Sequence, residues 1–301
     1  NQGKELEYEK YVKLLKKYIK EYGENTTIFY MLGSFYEFYA SSYECETFKY
    51  LEKVANILNF AIKQKENGSI MAGMPDFSCE KHLQTLLSHN YNVIIIDQVK
   101  DSGGDVIKRE VSSINTPGTF FSSGKEGNCL LSIYVDIYFY KKQKIFDIAI
   151  SKIDITTSQN YLYEIQSKPD DIYFSLDELY KFIKSSNPKE ILLNINSNSD
   201  EINTDLEKSD LIKFLEVNPE LFKLYEPDDD YRNINYQKQF LNNFFVNETQ
   251  LEILEYLSLN NFQPKSRNSY VLLLHYINSN NKNYLNYINP PMFHSDNYNL
   301  I

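Results

Sequence analysis

The chain has 301 residues, enough for about two domains, and 42% of them are hydrophobic, which excludes a wholly disordered protein. The formal net charge of -10 argues against a generic nucleic-acid binder, since such proteins carry a basic footprint. The imbalance is uneven: residues 1–122 hold 14 Lys and Arg against 16 Asp and Glu, and the remainder 17 against 25, so any DNA contact is expected in the near-neutral first part. Tyr is abundant at 26, Phe reaches 19 and Trp is absent, and with the runs of Asn this composition suggests an A/T-rich coding genome. Cys45, Cys79 and Cys129 form no C-x-x-C pair, and His82, His89, His275 and His294 show no metal spacing. No apolar run reaches 18 residues and the N-terminus is not signal-like. The expectation is an intracellular protein of a reducing compartment, or a piece of one, without a membrane partner. Cytoplasm, nucleus, organelle and a viral source all stay open.

Residues 4–22 place Tyr8, Tyr11, Val12, Leu15, Tyr18, Ile19 and Tyr22 at helical spacing, with Lys13, Lys16, Lys17 and Lys20 opposite as a solvated face. Gly23 ends the helix. Thr27 to Leu32 reads as a buried strand, broken by Gly33 and Ser34. Phe35-Tyr36-Glu37 is then expected at a strand-to-helix junction, where side chains are presented. A ring and a carboxylate two residues apart can wedge between base pairs and hydrogen-bond the loosened base. Read from these residues alone, Phe35 and Phe38 as core and Glu37 as a solvated acid is the simpler account.

Phe48, Leu51, Val54, Ala55 and Leu58 mark a second helix, Asn59 to Gln64 alternates like a strand, and Asn67-Gly68 predicts a hairpin turn. Ser78 is the expected N-cap of a helix through His89, packed by Leu83, Leu86 and Leu87. Val93 to Ile96 and Val106 to Ile114 read as strands. Phe121 to Asn128 is expected to be a linker. Three antiparallel strands follow, Leu130 to Tyr140, Lys144 to Ser151 and Ser158 to Ile165, then a helix opened by a capping box at Ser175 and a strand from Glu190 to Ile195. Asn196 to Ser209 reads as a polar loop. From Asn247 only helices are expected, with Leu251, Ile253, Leu254 and Leu257 on one and Val271 to Ile277 on another; the ending at Ile301 suggests a cut inside a larger helical domain. No phosphate loop is found. Asp136, Asp147 and Asp154 could be arranged as metal ligands on a ribonuclease-H-like sheet, but strand acids in an acidic chain are better read as solvent-facing.

The blocks Phe29-Tyr-Met-Leu-Gly-Ser-Phe-Tyr-Glu-Phe-Tyr, Met71-Ala-Gly-Met-Pro, Ile96-Asp-Gln-Val, Lys108-Arg-Glu-Val and Thr116-Pro-Gly-Thr, in this order, resemble the mismatch-recognition domain of the MutS mismatch-repair family. Asn187-Pro-Lys-Glu-Ile-Leu and its three-strand sheet resemble the connector more loosely, and Tyr270-Val-Leu-Leu-Leu-His-Tyr-Ile the opening of the lever. The resemblance implies an α/β chain in three parts: a mixed-sheet recognition domain at 1–122, a ribonuclease-H-like connector at 129–245 and the start of an all-helical lever at 246–301. Phe35 is then the ring that stacks on a mispaired base and Glu37 its hydrogen-bonding acid, with Ser34, Tyr36, Phe77, Ser78, Lys108 and Arg109 as further DNA-contact residues. The implied partner is mismatched double-stranded DNA, the intact protein a dimer, and the connector a surface for repair proteins. ATP and Mg would belong to an ATPase domain outside this chain, which itself would be no enzyme. The sequence departs from the family at Ser34, where Asp is common, at Met31 and Leu32, and at Asp76-Phe77, where Asp76 cannot grip a phosphate. A protein-interaction module without mismatch readout is the alternative.

Overall fold

The computed structural model describes all residues except 1–5, 102, 121–126, 168–169, 198, 200–201, 224, 228–229, 246–248, 261–263, 282–283 and 294–301. The chain divides into two compact units, Asn1–Pro117 and Gly118–Ile301. Each contains one mixed sheet with helices, so the α/β class expected from the sequence is observed. Most of the expected linker, residues 121–126, lies outside the described residues.

The first unit contains α1 (Glu7–Tyr22), β1 (Thr26–Leu32), β2 (Phe35–Ala40), α2 (Glu46–Leu58), β3 (Lys63–Gln64), β4 (Ile70–Pro75), α3 (Cys79–Ser88), β5 (Asn92–Lys100) and β6 (Val106–Asn115). The sheet order is β3-β4-β2-β1-β5-β6, with β1 and β5 parallel and the other pairs antiparallel. α1 lies over β1 and β2, its Tyr11, Leu15 and Tyr18 buried and its Lys13, Lys16, Lys17 and Lys20 exposed as expected. α2 and α3 pack together, and their contacts with β2, β4 and β5 supply the other layer.

Three local readings change here. Phe35 opens a strand, not a strand-to-helix junction: β1 and β2 form a tight hairpin with Leu32 facing Phe35 across the two-residue loop Gly33-Ser34. Gly33 has φ +65°, and a positive φ on the first central residue is the pattern of a type II′ turn, which glycine enters without strain. Only Lys63 and Gln64 of the Asn59–Gln64 segment form a strand, because Asn59 is the left-handed cap of α2 (φ 55°). Ser78 is the last residue of a single 3-10 turn, Asp76–Ser78, and its hydroxyl donates back to the Pro75 carbonyl (2.8 Å) instead of capping α3.

The second unit is built on β7 (Cys129–Tyr140), β8 (Gln143–Asp154) and β9 (Gln159–Gln166), antiparallel as expected, with β10 (Glu190–Ser197) parallel to β7. The short strands β11 (Phe222–Lys223) and β12 (Met292–Phe293) extend the two edges. Odd-numbered β7 residues Leu131, Ile133, Val135 and Ile137 share a core with Leu176, Leu179 and Ile183 of α4 (Phe174–Ser186) and Leu211 of α5 (Thr204–Phe214). Leu130 belongs to a second core with α6 (Ile234–Asn242), α7 (Ile253–Tyr256) and α8 (Pro264–Asn280). The sheet is therefore sandwiched, since a strand with two apolar faces needs cover on both. α8 packs on β7, β8 and β9, so this helical segment rests on the same sheet as the residues before it.

Ser175 does not cap α4: it is fully buried and donates to the Phe146 carbonyl (2.7 Å). The expected loop 196–209 contains the end of β10 and the start of α5. Leu251 lies before α7 and is exposed. Asp136 and Asp147 are cross-strand neighbours, but Asp147 is bound by Lys265 (2.6 Å), Asp136 accepts from Asn196 (2.8 Å) and Asp154 holds the β8–β9 turn through the Thr156 amide (2.9 Å). Among the described residues no group of three or more His, Cys, Asp or Glu is arranged to hold a metal, and no helix is long and apolar enough to cross a membrane.

Candidate nucleic-acid interface

Strand alternation sorts the residues of β2 into two sets. Tyr36 and Phe38 are buried against the α2 and α3 side, where Phe29 meets both rings. The Tyr36 hydroxyl donates to Asp97 (2.7 Å). Cys79 lies in the same pocket of charge, and burial, reinforced by Asp97, pushes its thiol up to about 11. Tyr36 is therefore a core residue facing away from Phe35 and Glu37.

Phe35, Glu37 and Tyr39 share the opposite face. Phe35 is 47% exposed although Tyr36 and Phe38 of the same strand are buried. Tyr39 is buried edge-on against Tyr11 of α1. Glu37 sits between them, its side chain 13% exposed, accepting from the Tyr39 hydroxyl and paired with Lys65 (3.0 Å). Lys65 also donates to the Tyr39 oxygen (3.1 Å) and lies over its ring. Burial, with the Glu37 hydrogen bond added, raises the Tyr39 phenol well above its ordinary range, so it stays a donor at any working pH.

Gly73 of β4 faces Glu37 across the sheet. A Cβ there would stand 2.9 Å from the Tyr36 carbonyl oxygen and 3.4 Å from Glu37 Cγ. Its lack of a side chain leaves Glu37 room to lie flat on the sheet. Lys65, Tyr39 and Gly73 brace or make room for Glu37, a role that the sequence reading gave to none of them. The Asn67-Gly68 turn was the available signal for Lys65: it folds the chain back (Gly68 amide to Lys65 carbonyl, 2.9 Å) and so brings Lys65 beside β2.

At the tip, Ser34 is exposed and its carbonyl accepts from the Asp76 amide (2.9 Å). Phe35 pairs with Pro75, so the exposed Phe77, at 86%, stands just beyond the same end of the sheet. The structure thus brings Ser34, Phe35, Phe77 and Ser78 to one end, with Glu37 two residues inward. Asp76 is exposed there as well. Lys108 and Arg109 lie on β6 at the far side of the sheet order. Lys108 is exposed and paired with Glu110 (2.8 Å). Arg109 is committed internally: its Nε donates to the Met31 carbonyl (3.0 Å), its Nη1 pairs with Glu7 (3.0 Å), and its guanidinium covers the Tyr30 ring (5.0 Å). Arg109 holds the β1 end of the hairpin rather than facing outward.

A tight hairpin on a mixed sheet thus presents one ring, beside an acid–lysine–tyrosine cluster. Residues 12–124 match the family described as MutS domain I. A protein of Acanthamoeba polyphaga mimivirus described as a DNA mismatch repair protein mutS homologue is 27% identical over 289 residues, covering 92% of this chain and 24% of the relative. The DNA mismatch repair protein MutS of Thermodesulfovibrio yellowstonii is 32% identical over 194 residues, 63% of this chain and 20% of the relative. That of Macrococcus caseolyticus is 30% identical over 205 residues, 66% and 21%. These similarities support the MutS family for this chain. The chain spans between a fifth and a quarter of the length of these relatives.

Proposed function

We propose that this chain recognises mismatched or otherwise distorted duplex DNA, inserting Phe35 from the minor groove while Glu37 hydrogen-bonds the displaced base, as the N-terminal part of a MutS-like mismatch-repair protein. The observation that carries this reading is the half-exposed Phe35 ring in a strand whose next residues are buried, with Glu37 on the same face. Matched and mismatched duplexes present the same phosphates, so discrimination must come from the cost of kinking. Unstacking costs a few kcal/mol per step and least where pairing is already broken. A carboxylate near phosphates would be repelled, and Lys65 offsets that charge at 3.0 Å. The chain performs no catalysis in this reading; ATP and Mg would act in an ATPase domain of the intact, dimeric protein.

The test is Phe35→Ala, measured as the ratio of mismatched to matched duplex affinity at one low salt concentration. The melting temperature should barely change, and most of the preference should vanish, since stacking on a base is worth about 1–3 kcal/mol. Glu37→Gln should tighten matched binding and shrink the same ratio. A Phe35→Ala protein that melts many degrees lower, or that still discriminates, would overturn the wedge. The exposed Asp76 beside Phe77 supports a second reading, in which this end docks a protein and no longer reads mismatches. Retained discrimination by no variant, wild type included, would favour it.

A further inference from the structure

The hairpin joining β7 to β8 ends in Tyr138-Phe139-Tyr140-Lys141-Lys142. Tyr140 faces Gln143, so Lys141 and Lys142 alone form the loop. Both have positive φ, 48° and 65°, which defines a type I′ turn. That turn is ordinarily filled by Asn-Gly or Asp-Gly, because a side chain with a Cβ is disfavoured in the left-handed region. Two successive lysines are an unfavourable choice for the turn, and local strain of this kind is characteristic of sites where the side chains themselves are needed.

The three aromatic residues beneath the lysines are 37 to 44% exposed, and they alternate, so rings emerge on both faces of the ribbon. Two of the acids behind the tip are already matched, and Asp136 accepts from the Asn196 amide. Asp147 is held by Lys265 and accepts from the Tyr138 hydroxyl, and Glu207 is paired with Lys144. Lys141 lies over the Tyr140 ring (5.4 Å), and neither loop lysine has an acidic partner among the described residues. In a unit with an excess of acids, this projection combines lysines without acidic partners among the described residues with exposed rings.

We propose that the β7–β8 hairpin tip binds single-stranded DNA, with Lys141 and Lys142 on phosphates and Phe139 and Tyr140 stacking on bases. The polyanion follows from the two lysines. The single strand follows from the rings, because stacking in a duplex first requires unstacking a base step, at about a few kcal/mol, whereas a single strand offers open base faces. This contact is separate from the Phe35 hairpin, which belongs to the other unit, and does not depend on it.

The experiment uses the 301-residue chain and a fluorescein-labelled oligothymidylate of about 15 nucleotides, a length within the range of single-strand binding sites. Lys141→Asn combined with Lys142→Gly supplies the residues the turn prefers, so the melting temperature should hold or rise. Affinity should nevertheless fall about tenfold at low salt, and the slope of log K against log salt should become shallower by about 1.4, the value for two phosphate contacts on a single strand. Phe139→Ala with Tyr140→Ala should weaken binding while leaving that slope unchanged. The Lys141→Asn, Lys142→Gly variant should leave the mismatch-to-match ratio on duplex DNA unaltered, which separates this proposal from the mismatch reading. Unchanged affinity and slope in the Asn-Gly variant would overturn it. So would polyglutamate, or vesicles rich in anionic phospholipid, binding the tip more tightly than the oligonucleotide does.

Discussion

Whether a side chain on β2 acts or merely packs depends on its parity. Phe35 and Glu37 face one way and Tyr36 and Phe38 the other, so an adjacent pair that resembles a continuous motif is split between surface and core. The motif's residues were legible in the sequence; their division was not, because the Gly33-Ser34 break followed by helical spacing gives no sign of a second strand. Tyr36→Phe removes a hydrogen bond to Asp97 and should cost about 1–3 kcal/mol of stability without altering the mismatch ratio, which chemical denaturation and binding together would check. Glu7 offers a pH test. Burial pushes its carboxyl up, but hydrogen bonds from Lys10 and Tyr30 and the Arg109 charge outweigh this and hold it below the ordinary range. A carboxyl depressed in the folded state contributes stability above its unfolded pKa of about 4.3 and loses it as the pH falls through the folded value. Glu7→Gln should therefore melt below wild type at neutral pH, and the two curves should converge as the solution is acidified.

Secondary elements were legible where periodicity ran long and missed where a few residues decided the outcome. α1, α2 and α8 and the long strands of both sheets follow their apolar spacing. The β1–β2 hairpin was hidden by a Gly-Ser loop, a weaker signal than Asn-Gly, and the Ser78 and Ser175 caps failed because each hydroxyl is used on a backbone carbonyl instead. α5 escaped notice because its polar composition leaves little amphipathic pattern. Gly73 tests the β2–β4 pairing directly. Gly73→Ala brings a methyl against the Tyr36 carbonyl, backbone that cannot rotate away, so the strands must part or Glu37 must move. The expected outcome is a lower melting temperature together with a reduced mismatch ratio, the combination that distinguishes it from Phe35→Ala.

At the scale of the molecule, the break between Pro117 and Gly118 falls just before the segment that the sequence marks as a linker, and charge divides with it: near neutrality on one side, acid excess on the other. Each unit has its own sheet and its own core. A chain ending at residue 120 should accordingly fold and melt in one cooperative transition, and circular dichroism of that fragment would show it; a fragment without a thermal transition would mean that the first unit requires the second. The order of the family blocks was legible because it spans whole elements, whereas the helical cover of the second sheet was not, since α8 meets β7, β8 and β9 only through contacts distant in sequence.

The bond between the Asp76 amide and the Ser34 carbonyl joins the two loops at the tip through main-chain atoms only. Any residue other than proline at position 76, and any residue at all at position 34, can make it. The scaffold therefore keeps its shape while the chemical character of those two positions drifts, which is how Ser and Asp can stand here in place of other side chains. The surface chemistry of the tip can be changed by exchange at 34 and 76 while the ring at 35 stays where it is, a separation of tuning from aim that leaves this loop pair open to adaptive change.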